Sequence, residues 1–274
     1  SNETKRLIVL LKDKIVLVTG ASRGIGKAIA LQAAKDGADV LVHYNSSSEK
    51  AHEVVNTIKK MGKKAKAIRG DLSITKDAKN IARNAWQAFN GVDILINNAG
   101  IILRRHFLDF SEDAFNAQWY VNVRGTFFVT QEMARLMINN DKEGKILTIT
   151  SVEGLRPGID KSIYASTKAA LETMMKGIAI ELSPYNILVN TLAIGATKTD
   201  MNKLLRSNLD KLAEMEKGIP LGRIATPEEI AQIACLMISS RANYVTGSTL
   251  IVDGGLTLLR GDFRPYKYRK DAEH

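Results

Sequence analysis

Tyr164 and Lys168 stand four residues apart, so on a helix both side chains leave one face. A phenol beside an ammonium is a group that can give and take a proton. Ser151 lies 13 residues before Tyr164, just past an apolar run. Open α/β sheets hold their ligands at such carboxyl ends of strands. Asn97-Asn98-Ala99-Gly100 closes a second apolar run, and Asn122 follows it. Taken singly, each has an ordinary reading: a helix-surface pair, a turn serine. Their conjunction is far less common by chance.

A second constellation handles phosphate. Thr19-Gly20-Ala21-Ser22-Arg23-Gly24-Ile25-Gly26 follows one apolar run and opens an amphipathic stretch. Gly20 permits the tight turn, Gly24 lets backbone approach a pyrophosphate, and Gly26 lets the helix pack close to the sheet. The helix then offers free N–H groups and the positive end of its dipole. NAD sites carry an acid about 20 residues on, for the ribose 2′-hydroxyl. Here Val40-Leu41-Val42-His43-Tyr44-Asn45-Ser46 contains none, and Tyr44 stands roughly in its place. Arg23, Ser22 and Ser46 with no carboxylate favour a 2′-phosphate, so NADP(H) is expected, with NAD(H) second. Arg23 can also be read as a surface charge, and Ser46 as the start of a Ser46-x-x-Glu49 capping box.

The elements that must position these groups alternate. Strands are expected at Ile15–Thr19, Val40–Tyr44, Ala65–Arg69, Asp93–Ile96, Lys145–Thr150, Ile187–Leu192 and Thr249–Val252. Helices are expected from the glycine turn to Lys35, then over Ser46–Lys60, Thr75–Phe89, Ser111–Ile138 (one helix or two) and Ser162–Leu182. Another starts at Thr226-Pro227-Glu228-Glu229, with a cap, Pro at the first position and Glu at the third. This alternation implies an α/β, doubly wound Rossmann fold: a seven-stranded parallel sheet with helices on both faces. With no Pro/Gly/Ser-rich linker, we expect one catalytic domain at 15–258, an N-terminal tail at 1–14 and a basic C-terminal extension at 259–274.

Composition excludes other classes. One cysteine, Cys235, rules out a disulfide framework, and four histidines lack metal-ligand spacing, so no metal is expected. No apolar run approaches the ~18 residues of a membrane span. Leu7–Leu11 is too short for a signal peptide's core, so a cytoplasmic location is expected. The net charge of +10 raises nucleic acid as a partner. The excess sits elsewhere, however: Lys59 to Arg69 holds six basic residues and no acid, and each tail adds two. We find no basic face with aromatics and no reading helix, so no nucleic-acid partner is expected.

The motifs together identify a resemblance. Thr19-Gly20-x3-Gly24-x-Gly26, Asp71-Leu72, Asn97-Asn98-Ala99-Gly100, Asn122, Ser151, Tyr164-x3-Lys168 and Asp253-Gly254-Gly255 resemble the short-chain dehydrogenase/reductase family over about Leu11 to Leu258. The resemblance implies an NAD(P)(H)-dependent oxidoreductase interconverting a hydroxyl and a carbonyl. Tyr164 would be the general acid or base, its pKa lowered from about 10 by the Lys168 ammonium together with the cationic nicotinamide of the oxidised cofactor. Lys168 would also bond the nicotinamide ribose, Ser151 would polarise the carbonyl oxygen, and Asn122 would hold a water relaying protons. Asp71 and Leu72 would meet the adenine. Asn98, Ala99 and Gly100 would line the cofactor groove, with Gly20, Ser22, Arg23, Gly24, Ile25, Gly26, Tyr44, Asn45 and Ser46 at the phosphates. Gly195, Thr197 and Thr199 would contact the cofactor after the sixth strand, where Ile194 replaces the family's usual proline. The family is mostly tetrameric, so a homotetramer packed through Ser111–Ile138 and Ser162–Leu182 is implied.

Substrate residues come from segments after strands four, five and six. Arg104 and Arg105 resemble the segment of sugar-acid dehydrogenases, and Arg can pair with a carboxylate. They read equally as solvent or interface residues. Glu153 and Arg156 follow Ser151, and Lys198–Gly218 is a lid candidate. We therefore expect an NADP(H)-preferring oxidoreductase acting on a small polar carbonyl/hydroxyl substrate such as a sugar or sugar acid. The alternative is a 3-oxoacyl-[acyl-carrier-protein] reductase, but Ser183-Pro184-Tyr185-Asn186 lacks the arginine expected for carrier docking. A non-catalytic NADP(H)-sensing regulator is the remote alternative, since such proteins lose the Tyr or Lys present here.

Overall fold

The computed structural model describes residues 10–199 and 209–258. The C-terminal extension, most of the N-terminal tail and residues 200–208 of the lid candidate lie outside the described residues. Seven parallel strands form one sheet: β1 (Ile15–Val18), β2 (Asp39–Tyr44), β3 (Ala65–Arg69), β4 (Ile94–Asn97), β5 (Gly144–Ser151), β6 (Ile187–Ile194) and β7 (Thr249–Val252). Their order is β3-β2-β1-β4-β5-β6-β7. The order reverses between β1 and β4, which opens a crevice at their carboxyl ends.

Helices α1 (Gly24–Lys35), α2 (Ser48–Lys60), α3 (Thr75–Phe89), α4 (Glu112–Trp119), α5 (Thr126–Asn139), α6 (Ser162–Leu182), α7 (Leu209–Lys217) and α8 (Pro227–Ile238) are described. Strand residues point alternately to the two faces. Val16, Val18, Val40, Val42, Ile94 and Ile96 join α1, α2 and α8 in one core cluster. Leu17, Leu41 and Leu95 join α3, α5 and α6 in the other. Both faces are therefore apolar, as an all-parallel sheet requires. Alanines at 28, 30, 33 and 34 bury α1, with Ala231 and Ala234 of α8 in the same cluster. No helix among the described residues is long and apolar enough to cross a membrane.

One local expectation differs. The Ser46-x-x-Glu49 capping box does not form, because α2 starts at Ser48 with Ser47 at its cap and no side-chain cap bond. Gly70 N–H donates to the Tyr44 carbonyl (3.1 Å), and Ser48 N–H to the Ser46 carbonyl (3.0 Å). Asn45 and Ser46 are thus used to leave the sheet before the helix can begin. Of the one helix or two expected over Ser111–Ile138, the structure has two, α4 and α5, joined by one π turn, Tyr120–Gly125. Such turns concentrate at functional sites, and this one carries Asn122. The cap at Thr226 forms as expected, with a complete capping box to Glu229.

Candidate active site

The glycine turn closes on the end of β4. Gly20 and Gly24 have φ of +62° and +55°, which favours glycine. A Cβ on Gly26 would lie 2.4 Å from both the Gly20 carbonyl oxygen and Asn98 Nδ2. Gly26 therefore packs the turn against the sheet, as expected, and does not line the cleft. Asn98 Nδ2 donates to the Thr19 (3.0 Å) and Gly20 (3.2 Å) carbonyls. Thr19 Oγ1 accepts from the N–H groups of Asn98 (3.0 Å) and Ala99 (3.1 Å). The crevice floor is consequently rigid.

His43 completes this lacing, and the motif analysis passes over it. Its Nδ1 accepts from Gly20 N–H (3.0 Å), which assigns the proton to Nε2, the atom 3.1 Å from the Gly70 carbonyl. One neutral imidazole thus ties the turns after β1 and β3 together. Burial pushes its pKa down from 6.5 to about 4. The unfolded chain binds this proton first, so stability is intact above about pH 6.5 and falls as the pH drops toward 4. The loss expected from this group by pH 4 is about 3 kcal/mol. Urea melts at pH 7, 5.5 and 4.5 will measure it, and a His43→Gln variant without that extra acid slope is expected.

A cavity of about 310 Å³ runs along the carboxyl edge of the sheet. Gly20, Ser22, Arg23, Gly24 and Ile25 line one end, followed by Tyr44, Asn45 and Ser46. Asp71, Leu72, Asn98, Ala99 and Gly100 line its middle. Tyr164, Lys168 and Ile194 also line the cavity, and Thr199 lines it beside the glycine turn, 3.8 Å from where a Cβ on Gly24 would stand. Arg23 caps α1 in an extended conformation without a side-chain cap bond, and no acid occupies the first turn. Donors without a carboxylate at this end fit a phosphorylated dinucleotide. Gly195 and Thr197 do not line the cavity, contrary to expectation. A Cβ on Gly195 would meet Asp253 Cα at 2.8 Å, and Thr197 Oγ1 donates to the Gly195 carbonyl (3.1 Å). Both shape the loop, while Ile194 and Thr199 face the cleft.

Strand β5 and helix α6 set the proton-transfer groups. Ser151 ends β5, buried, and its Oγ accepts from Glu153 N–H (3.2 Å). Lys168 is 5% exposed, and its Nζ donates to the Ile149 carbonyl (3.1 Å). Nζ lies 5.6 Å from the Tyr164 ring centroid. The lowering expected of Tyr164 needs the cationic nicotinamide beside Lys168; the protein's own groups act the other way. Burial pushes the phenol up to about 12, opposed by the Ser151 hydroxyl. Among charges, Glu153 raises it and Arg104 lowers it. Burial also lowers Lys168 to about 8, with the nearby Glu172 carboxylate opposing. The protein's own groups therefore keep Tyr164 protonated at neutral pH.

Asn122 is fully buried. Its Oδ1 accepts from Ile101 N–H (2.8 Å), and its Nδ2 donates to the Ile101 carbonyl (2.9 Å) and to Thr167 Oγ1 (3.1 Å). The side-chain amide thus acts as a strut joining the loop after β4 to α6. A Cβ on Gly100 would stand 3.3 Å from Asn122 Oδ1 and 3.5 Å from Lys168 Nζ. Gly125, also missed in the sequence, lets the π turn approach Leu72: a Cβ there would lie 2.3 Å from the Leu72 carbonyl oxygen.

None of the four substrate candidates lines the cavity. Arg104 and Glu153 are near enough to act on the Tyr164 phenol. Arg105 is exposed, and its backbone N–H donates to the Asp160 carbonyl (3.1 Å). Arg156 donates from Nη1 to the Thr257 carbonyl (2.9 Å). Of the two adjacent arginines, Arg104 is thus the one near the reacting phenol.

Known proteins match this arrangement closely. A family model described as enoyl-(acyl carrier protein) reductase matches residues 20–257. An L-rhamnose 1-dehydrogenase (NADP(+)) of Thermoplasma acidophilum is 41% identical over 247 residues, 90% of this chain and 97% of that protein. A 3-oxoacyl-[acyl-carrier-protein] reductase of Aquifex aeolicus is 37% identical over 249 residues, 90% and 99%. The crystal structure of a short chain dehydrogenase from Burkholderia cenocepacia in complex with NADP superposes with a TM-score of 0.84. It is 34% identical, covering 90% of this chain and 99% of that one.

Proposed function

Because the chain belongs to the short-chain dehydrogenase/reductase family, we propose that it is an NADP-linked sugar dehydrogenase, with an aldose of the L-rhamnose type as its substrate. The observation that carries this reading is the continuous cleft from a donor-only phosphate end to the Tyr164–Lys168 pair. The 41% identical relative acts on L-rhamnose with NADP(+), which supports the substrate class. The carrier-protein reductase relative is less similar, and the arginine expected before β6 is absent from Ser183-Pro184-Tyr185-Asn186.

Bound NADP would supply the hydride acceptor. Arg23, Ser22 and Ser46 would hold its 2′-phosphate, Asp71 and Leu72 its adenine, and Lys168 its nicotinamide ribose. Asn98, Ala99, Gly100 and Thr199 would line the groove between them. Ser151 would orient the reacting oxygen. Tyr164 would remove the sugar hydroxyl proton in oxidation and return it in reduction. Asn122 would keep Lys168 and the loop after β4 in register. Residues 15–258 would form the catalytic unit, in a cytoplasmic homotetramer packed through α4–α5 and α6, where Phe115, Tyr120 and Ile180 are exposed.

A screen of NADP-linked oxidation of L-rhamnose, D-glucose and D-gluconate, with NADPH-linked reduction of an acetoacetyl thioester, tests the reading. Turnover of L-rhamnose or a related neutral aldose is expected to lead. Thioester reduction ahead of every sugar would replace the proposal. The raised Tyr164 pKa sets the pH dependence. Oxidation needs the phenolate, so its kcat/KM is expected to climb about tenfold per pH unit toward alkaline pH. Reduction uses the phenol and is expected to stay flat across neutral pH. A flat oxidation profile between pH 6 and 9, where chemistry limits the rate, would contradict Tyr164 as the base.

A further inference from the structure

The segment between β5 and α6 carries an ion pair that no catalytic role has absorbed. Glu153 follows Ser151 by two residues, and its carboxylate is largely shielded. Oε1 accepts from Lys161 Nζ, and Oε2 accepts from Gly158 N–H (2.7 Å). The Lys161 and Glu153 side chains are 18% and 19% exposed. Lys161 is the residue from which α6 starts, and its carbonyl accepts from Ala165 N–H (2.8 Å). Tyr164 is three residues further on. The pair therefore spans the loop from the end of β5 to the helix that presents the phenol.

The same turn is locked onto α6 beneath it. A Cβ on Gly154 would lie 2.9 Å from Ala169 N and 3.1 Å from the Lys168 carbonyl carbon. The chain between the two charged residues runs over the surface, with Ile159 88% exposed and Asp160 at φ +61°. Glu153 gathers this loop from inside, and the Arg105 N–H bond to the Asp160 carbonyl (3.1 Å) ties it from the segment after β4. A surface salt bridge of this size would carry little weight, but this one is mostly shielded and fixes a loop end beside a reacting group.

We propose that the Glu153–Lys161 ion pair tunes proton transfer at Tyr164 by charge: the loop between β5 and α6 holds a carboxylate near the phenol, and Lys161, at the start of α6, offsets its charge. The inference rests on Tyr164 as the proton-transfer group. The groups acting on the phenol are Ser151 and Glu153 from the end of β5 and Arg104 from the loop after β4; Lys168 of α6 lies 5.6 Å from the ring, with the Glu172 carboxylate near it, and Lys161, which precedes α6, is paired with Glu153. Glu153 disfavours the phenolate and Arg104 favours it. Lys161 damps the first effect by pairing with it.

Two variants separate charge from scaffolding, because loosening the loop would impair both alike. Glu153→Gln removes the negative charge and retains an oxygen for Gly158 N–H. Oxidation at a fixed pH below the midpoint is expected to rise about three- to tenfold, with the alkaline limb moved to lower pH. Lys161→Met leaves the carboxylate unpaired, and the limb is expected to move to higher pH with slower oxidation. The double variant is expected to fall between them. Movement of both single variants in the same direction, or no movement of either limb, would overturn the proposal. Should the parent protein oxidise no alcohol, the functional reading fails by itself. Isotope-labelled tyrosine followed by NMR, with Tyr164→Phe assigning the signal, then reads the onset of ionisation directly. The same opposite shifts are expected, and coincident onsets would refute the pair's role.

Discussion

Tyr164→Phe is expected to lose about 10³-fold or more in turnover, in both directions, while NADP binding stays within about twofold. The change deletes one oxygen and nothing else from the site. The ring remains half-buried on α6, one turn from Lys168, so the helix keeps its packing. Lys168 keeps its bond to the Ile149 carbonyl, and Asn122 keeps its grip on Ile101 and Thr167. What disappears is the sole phenol lining the nicotinamide end of the cleft. Ser151 cannot substitute, because an aliphatic hydroxyl has no accessible acid–base equilibrium near neutral pH. Ser151→Ala should itself cost less turnover but more order, since its Oγ also caps the turn at Glu153. Steady-state rates in both directions, with NADPH binding by fluorescence and a thermal melt, measure all three quantities. Retained turnover with an unchanged melt would remove Tyr164 from the chemistry.

The two constellations that carry this prediction are legible in one dimension because their spacing is local. A Tyr and a Lys four apart share a helix face wherever the helix is. The expected bounds of Thr75–Phe89 and Ser162–Leu182 match the structure, as apolar periodicity dominates long amphipathic helices. What escapes is whatever depends on a distant partner. The π turn at Asn122 is sustained by bonds to Ile101 and Thr167, 21 and 45 residues away. His43 reads as an ordinary polar residue in an apolar strand until Gly20 and Gly70 are brought to its two nitrogens. The Ser46 capping box fails because β2 stays paired through Tyr44, a tertiary demand that outranks a local signal. The phenol's pKa shows the same limit. Sequence places the ammonium one turn away, but only the fold reveals how burial raises the phenol's pKa.

Coenzyme choice follows from the other constellation. Arg23→Ser is expected to weaken NADP binding by roughly 10- to 100-fold, the scale of one charge-assisted hydrogen bond, and to leave NAD nearly unchanged. Adding Tyr44→Asp places a carboxylate at the last residue of β2, where it would accept from a ribose 2′-hydroxyl and repel a 2′-phosphate. The combined swing in the NADP/NAD preference should be on the order of 10³. Tyr44 is the riskier site: its hydroxyl accepts from Ser48 Oγ (3.3 Å), and its ring meets His52 edge-on. A melt must therefore accompany the binding data. Arg23 is exposed and uncapping, so its replacement should leave stability alone. Added salt discriminates further, because screening weakens the parent's preference for the doubly charged 2′-phosphate and not its affinity for a 2′-hydroxyl. Equal loss of NADP and NAD in Arg23→Ser would move the guanidinium to the pyrophosphate. A parent protein that binds NAD more tightly than NADP would overturn the whole reading of that end of the cleft.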